Sequence, residues 1–217
     1  MHWIALQPSS PTEAATELTT LGWRALQFTP RVALADGALL MEISASERLF
    51  GGRRALLTRF FASDAFDFAV EWAQGATSLV ALGRLHERRA EPLQASERPL
   101  GGQPGAAGAL GQYERRQGGP APGGTPPSQL PLAALAAARP HLPTLERLGC
   151  RTWGALRALP RGGLVRRFGD GLLDALDRAF GVRPEVYPWL TLPEVFDQPL
   201  ELLAHVETAP ADRKSVV

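Results

Sequence analysis

The pair Asp36-Gly37 stands between the runs Arg31 to Leu34 and Ala38 to Ser44. Two short strands joined by Asp-Gly fold back on each other. The central residues of a tight hairpin turn need positive φ, which Gly adopts freely and Asp tolerates. This one signal commits the N-terminal part of the chain to antiparallel sheet. Around it, Trp3-Ile4-Ala5-Leu6 is an apolar run that breaks at Pro8 and reads as a buried strand. Pro11 to Leu26 places Ala14, Leu18, Leu21 and Ala25 at helical spacing, with Pro11 and Thr12 as a start signal. Gly51-Gly52 precedes a helix from Arg53 to Phe61; without a following Lys-Ser/Thr the glycines are no phosphate loop. Phe66 to Trp72 alternates strictly, which predicts a half-buried strand with Phe66, Phe68, Val70 and Trp72 inward. Ala76 to Arg88 returns to helical periodicity. Residues 1–90 therefore read as an α+β layer, helices packed on a mixed or mostly antiparallel sheet. Trp3, Trp23 and Trp72 fall on apolar faces and are expected in the core.

Residues 91–128 are rich in Gly, Pro, Gln and Ala with little apolar periodicity, the composition of a flexible insert. Residues 129–183 read as short helices: Leu132 to Ala138, Thr144 to Leu148, Trp153 to Leu159, Gly163 to Arg167 and Leu172 to Phe180. They are punctuated by Pro140, Gly149, Pro160, Gly169 and Gly181. Within this region, Leu145 to Arg157 is a helix, a Gly149-centred turn and a second helix that Thr152 would cap. Leu164 to Leu172 is a looser copy around Gly169 and Gly171. The net charge of the 217 residues is only +1, yet 141–183 holds eight arginines against Glu146, Asp170, Asp174 and Asp177, an excess of four. Paired helical hairpins carrying arginines suit a nucleic-acid backbone gripped without sequence readout. The candidate DNA-binding set is Gly149, Arg151, Thr152, Arg157, Arg161, Arg166, Arg167, Gly169 and Gly171.

Other classes are disfavoured. Cys150 is the single cysteine, so no internal disulfide forms. His2, His86, His141 and His205 are scattered without metal-ligand spacing, so no resident metal or cofactor is expected. The N-terminus lacks a basic segment and a long apolar stretch, and no run approaches the roughly 20 apolar residues of a membrane span. The expectation is a cytoplasmic protein.

Four segments together resemble the Y-family (lesion-bypass) DNA polymerases, and most closely the catalytically inactive ImuB type. They are Trp3 to Gln7; Phe28 to Val32 with Leu39 to Gly52; Phe68 through Leu79; and Leu148 to Gly169, with Arg48-Leu-Phe-Gly-Gly52 and Arg166-Arg-Phe-Gly169 the most specific. The resemblance implies a palm-like α+β domain over 1–90, a helix-hairpin-helix thumb over 129–183, and the start of a truncated little-finger-like segment over 184–217. In that last segment Leu200 to Val206 would open a strand. It also implies two Mg²⁺ ions held by carboxylates on the first palm strand and by an Asp-Glu pair on a later one. Here those positions are Gln7, Gly37 and Ala38, which cannot replace the charge that holds Mg²⁺. Only about twenty residues separate Gln7 from Phe28, so most of the fingers segment is missing.

The resemblance thus points to a non-catalytic scaffold on DNA in damage-induced (SOS) translesion synthesis. Its implied partners are the sliding clamp, an error-prone polymerase and a RecA-like accessory protein. Gln129-Leu130-Pro131-Leu132 faintly matches a clamp-binding peptide, although it lacks the final aromatic. Two other readings stand beside it. One is a minimal nucleotidyltransferase using Asp36 and Glu42, which needs a slip of register because neighbouring strand residues face opposite ways. The other is a truncated product without independent function.

Overall fold

The computed structural model describes residues 1–9, 14–62, 66–90 and 124–191. The expected start of the first helix at Pro11, most of the Gly/Pro-rich insert, and Leu200 to Val206 lie outside the described residues.

Four strands form one antiparallel sheet: β1 (Trp3–Pro8), β2 (Val32–Ala35), β3 (Ala38–Glu42) and β4 (Val70–Gly75), in the order β2-β3-β1-β4. The β2-β3 hairpin closes through Asp36 and Gly37 at φ 52° and 73°, the two left-handed residues that the Asp-Gly pair predicts. Alternation then sorts the side chains onto two faces. Ile4, Leu6, Leu39, Met41 and Trp72 face α1 (Ala14–Leu26) and α2 (Arg53–Phe60), where Leu21, Ala25, Leu56 and Phe60 complete a core. Trp3, Ala5, Ala38, Leu40 and Ala73 face α3 (Ser78–Ala90) through Ala81, Leu82 and Leu85.

Three expectations shift. The last strand runs Val70–Gly75 rather than Phe66 to Trp72, because pairing with β1 begins at Pro8 opposite Val70. Phe66 and Phe68 precede the strand yet still pack on the same core, Phe66 in contact with Phe60 and Phe68 with Phe66. Trp23 is 42% exposed: the buried stripe of α1 passes through Leu21 and Ala25, and Trp23 falls to the other side of the helix. Leu132 to Ala138 is no α-helix but two 3-10 turns, Leu132–Ala134 and Ala136–His141, the second running through Pro140. The cause is local pairing. Leu132 N donates to the Arg151 carbonyl (3.0 Å) and Trp153 N to that of Leu130 (3.0 Å), which holds Leu130 and Pro131 extended.

The remaining helices are α4 (Leu142–Arg147), α5 (Trp153–Arg157), α6 (Arg161–Phe168) and α7 (Asp170–Ala179). They close around Trp153, Leu130, Leu145, Leu156, Leu164 and Leu176, and Val80 of α3 joins this second core. A strap, residues 182–190, then leaves α7 and returns across the sheet. Tyr187 and Trp189 contact Trp3, and Leu190 N donates to the Val32 carbonyl on β2 (2.7 Å). No helix among the described residues is long and apolar enough to cross a membrane.

Candidate functional site

The end of β1 and the tip of the β2-β3 hairpin bring Gln7, Asp36, Gly37 and Ala38 together. A Cβ on Gly37 would stand 3.7 Å from Gln7 Nε2. Across the sheet Gln7 pairs in register with Glu71. The Gln7 amide oxygen is buried without a hydrogen-bond partner among the described residues.

Asp36 is taken up by another group. Arg139 donates from Nη1 to Oδ1 and from Nη2 to Oδ2, each at 2.6 Å, a bidentate bond from the turn Ala136–His141 to the hairpin tip. His86 Nδ1 lies 3.6 Å from Asp36 Oδ2. Burial lowers the His86 pKa, with Arg139 and Arg89 adding to the effect, while Asp36 and a backbone hydrogen bond oppose it.

Glu42 lies at the opposite end of β3. It is buried, accepts from Ser44 N at 2.9 Å, and has Arg31 Nη1 at 3.5 Å. At about 3.4 Å per strand residue, Asp36 and Glu42 stand on the order of 20 Å apart. They do not converge, so the register slip that would let them share a metal is not present. Among the described residues no three His, Cys, Asp or Glu side chains are grouped to hold a metal ion. A neutral amide, two residues without ligand atoms and a carboxylate bound by a guanidinium do not fit the Mg²⁺ pair that the Y-family resemblance implies.

Short helices joined at glycines occupy the region of the candidate DNA-binding residues. After α4 the chain turns at Gly149 (φ 79°), with Gly149 N bonded to the Glu146 carbonyl and Cys150 N to that of Leu145, both at 2.9 Å. Thr152 caps α5 by accepting from Ala155 N at 3.2 Å. Gly169 (φ 81°) joins α6 to α7, and Gly171 sits exposed in the first turn of α7 with open space where a Cβ would be.

The five predicted arginines divide into two groups. Arg151, Arg166 and Arg167 are exposed, and no ion pair engages them among the described residues. Arg157 lies over the Phe180 ring at 4.3 Å. Arg161 is bound bidentately to the buried Asp177 at 2.9 and 2.7 Å.

The clamp-peptide residues are placed differently. Gln129 is exposed, but Leu130 and Leu132 are 0% and 2% exposed and belong to the helical core. Sequence reasoning did not identify Arg139 or His86 beside the hairpin tip. They lie 103 and 50 residues along the chain from Asp36, and no local pattern ties them to it.

Comparison with known proteins agrees with the resemblance. The chain is 29% identical over 168 residues, 74% of its length, to the protein ImuB of Caulobacter vibrioides, in the strains NA1000 / CB15N and ATCC 19089 / CIP 103742 / CB 15. It spans about 30% of the length of these curated relatives. No family model matches the chain. No solved structure matches it. The likeness to ImuB is therefore distant and partial.

Proposed function

We propose that this chain is a non-catalytic Y-family homologue that binds DNA as a scaffold in damage-induced translesion synthesis and mutagenesis. The observation that carries this reading is the Asp36–Arg139 bond beside Gln7, Gly37 and Ala38. In a polymerase of this family that corner must present convergent negative charge to two divalent ions. Here the one carboxylate at the hairpin tip is neutralised by an internal cation.

The thumb supports the DNA half of the proposal. Among the described residues Arg151, Arg166 and Arg167 meet no acid, which suits them to replace counterions on a phosphate backbone. By analogy with ImuB the scaffold would meet a sliding clamp, an error-prone polymerase and a RecA-like accessory protein, near the nucleoid in the cytoplasm. Because Leu130 and Leu132 are core residues, the clamp contact is not assigned to 129–132.

The purified chain is expected to bind labelled primer-template DNA with an affinity that falls steeply with salt, and to extend no primer with Mg²⁺ or Mn²⁺. Arg166→Glu with Arg167→Glu should weaken binding on every sequence alike. Neutralising each phosphate contact lowers the salt slope by about one. Primer extension that Asp36→Asn abolishes would overturn the scaffold reading.

A further inference from the structure

A second basic surface lies across the sheet from the thumb, built on α1, α2 and the 3-10 turn Glu47–Phe50. The Arg24 guanidinium sits over the Phe28 ring at 5.1 Å and that of Arg59 over the Phe50 ring at 5.8 Å; the two rings are 5.0 Å apart. Arg24 also donates to the carbonyl oxygens of Arg59 (2.6 Å) and Phe60 (3.4 Å). Two cations are thus held side by side on one aromatic pair, and no carboxylate pairs with either among the described residues. The acid on the turn, Glu47, is engaged by Arg53 at 2.9 Å and His2 at 2.8 Å. Arg48 on the turn and Arg54 at the start of α2 are exposed. Leu49, between Arg48 and Phe50, is 81% exposed. The turn that holds it outward closes at Gly51 (φ 80°) and through a bond from Gly52 N to the Glu47 carbonyl (2.8 Å).

We propose that this surface docks an acidic segment of a partner protein, with an apolar side chain of that segment against Leu49. Clustered guanidiniums repel one another, and an anionic partner relieves that repulsion. Ring stacking and backbone carbonyls already fix Arg24 and Arg59, so little side-chain freedom is lost on binding. Arginine, aromatic rings and an exposed aliphatic side chain together are the composition of a protein interface core. A duplex backbone offers regularly spaced phosphates and leaves Leu49 uncovered, which disfavours DNA as the occupant. Because α1 and α2 cover one sheet face and α3 with the thumb the other, this partner and a ligand on the thumb do not compete for space. The inference does not rest on DNA binding by the thumb.

The test titrates the full chain with three labelled probes: a synthetic peptide of glutamates interspersed with leucines, its leucine-free analogue of equal charge, and duplex DNA. Arg48→Glu with Arg59→Glu should weaken both peptides by about tenfold or more. Leu49→Ser, an exposed change that leaves packing intact, should weaken only the leucine-bearing peptide. Arg166→Glu with Arg167→Glu should leave peptide binding unchanged. The proposal is overturned if neither surface variant weakens the leucine peptide, or if the Arg48/Arg59 variant loses DNA and keeps peptide. The peptide arm decides this proposal whatever the DNA arm shows.

Discussion

Asp177 joins two arginines of the helical region. It is buried, takes both terminal nitrogens of Arg161, and has Arg183 Nε at 3.9 Å. The hydrogen bond from Arg161 holds its carboxyl below the ordinary range, against the opposing effect of burial. Below about pH 4 the unfolded chain takes up a proton that the native carboxylate refuses. The stability from this pair is therefore complete above that pH and is lost as pH falls through the lower native value. Asp177→Asn should lower the urea midpoint at neutral pH, and its deficit against the wild type should shrink as the pH is taken below about 4. A deficit that stays constant into acid would mean the pair does not act through charge. His86 adds an earlier and separate loss. Its pKa is lowered, so the unfolded chain binds the proton first and stability declines as pH falls below about 6.5.

Among the elements, α3 shows most clearly what a sequence does and does not reveal. Its body is legible, because Ala81, Leu82 and Leu85 recur at helical spacing. Its first turn is not. Glu185, from the strap, accepts hydrogen bonds from Ser78 N (3.0 Å), Leu79 N (3.3 Å) and the Ser78 hydroxyl, which also meets the Tyr187 hydroxyl. A cap supplied from 107 residues away leaves no trace in a local window. Removing it with Glu185→Ala should cost about 1 to 2 kcal/mol. Amide exchange at Leu79 should then accelerate by roughly tenfold while Leu85, deeper in the helix, changes little. Equal acceleration along the whole helix would show that the strap supports the core and not the cap. The β2-β3 hairpin is the opposite case, since Asp36 and Gly37 carry the turn signal in themselves. Leu132 to Ala138 misleads because its helical spacing is overridden by pairing with the start of α5.

For the molecule as a whole, the residues at the hairpin corner are legible and the partner of Asp36 is not. Gln7, Gly37 and Ala38 can be read along the chain, but Arg139 reaches Asp36 only once the helical region is packed against the sheet. The wall that brings them together is α3. Ala81, Leu82 and Leu85 face the sheet, Val80 faces the helical core, and Leu79 touches both. Two compositional regions that read as separate domains thus share one helix. This sharing predicts that they unfold together. Trp153 tests the prediction, being fully buried in the helical core, with Nε1 donating to the Pro131 carbonyl (2.9 Å) and its ring end against Gly83 of α3. Trp153→Ala should remove about 3 to 5 kcal/mol. If α3 couples the cores, urea transitions followed by far-UV circular dichroism and by fluorescence will coincide in both proteins. Exchange protection of Ala5 and Leu40 in the sheet will fall by the same free energy as that of Leu156 in α5. If instead the variant loses protection only beyond residue 124 while the sheet amides keep theirs, the sheet and the helical region are independent. Asp36–Arg139 is then a surface contact between neighbours and not part of a single folded unit.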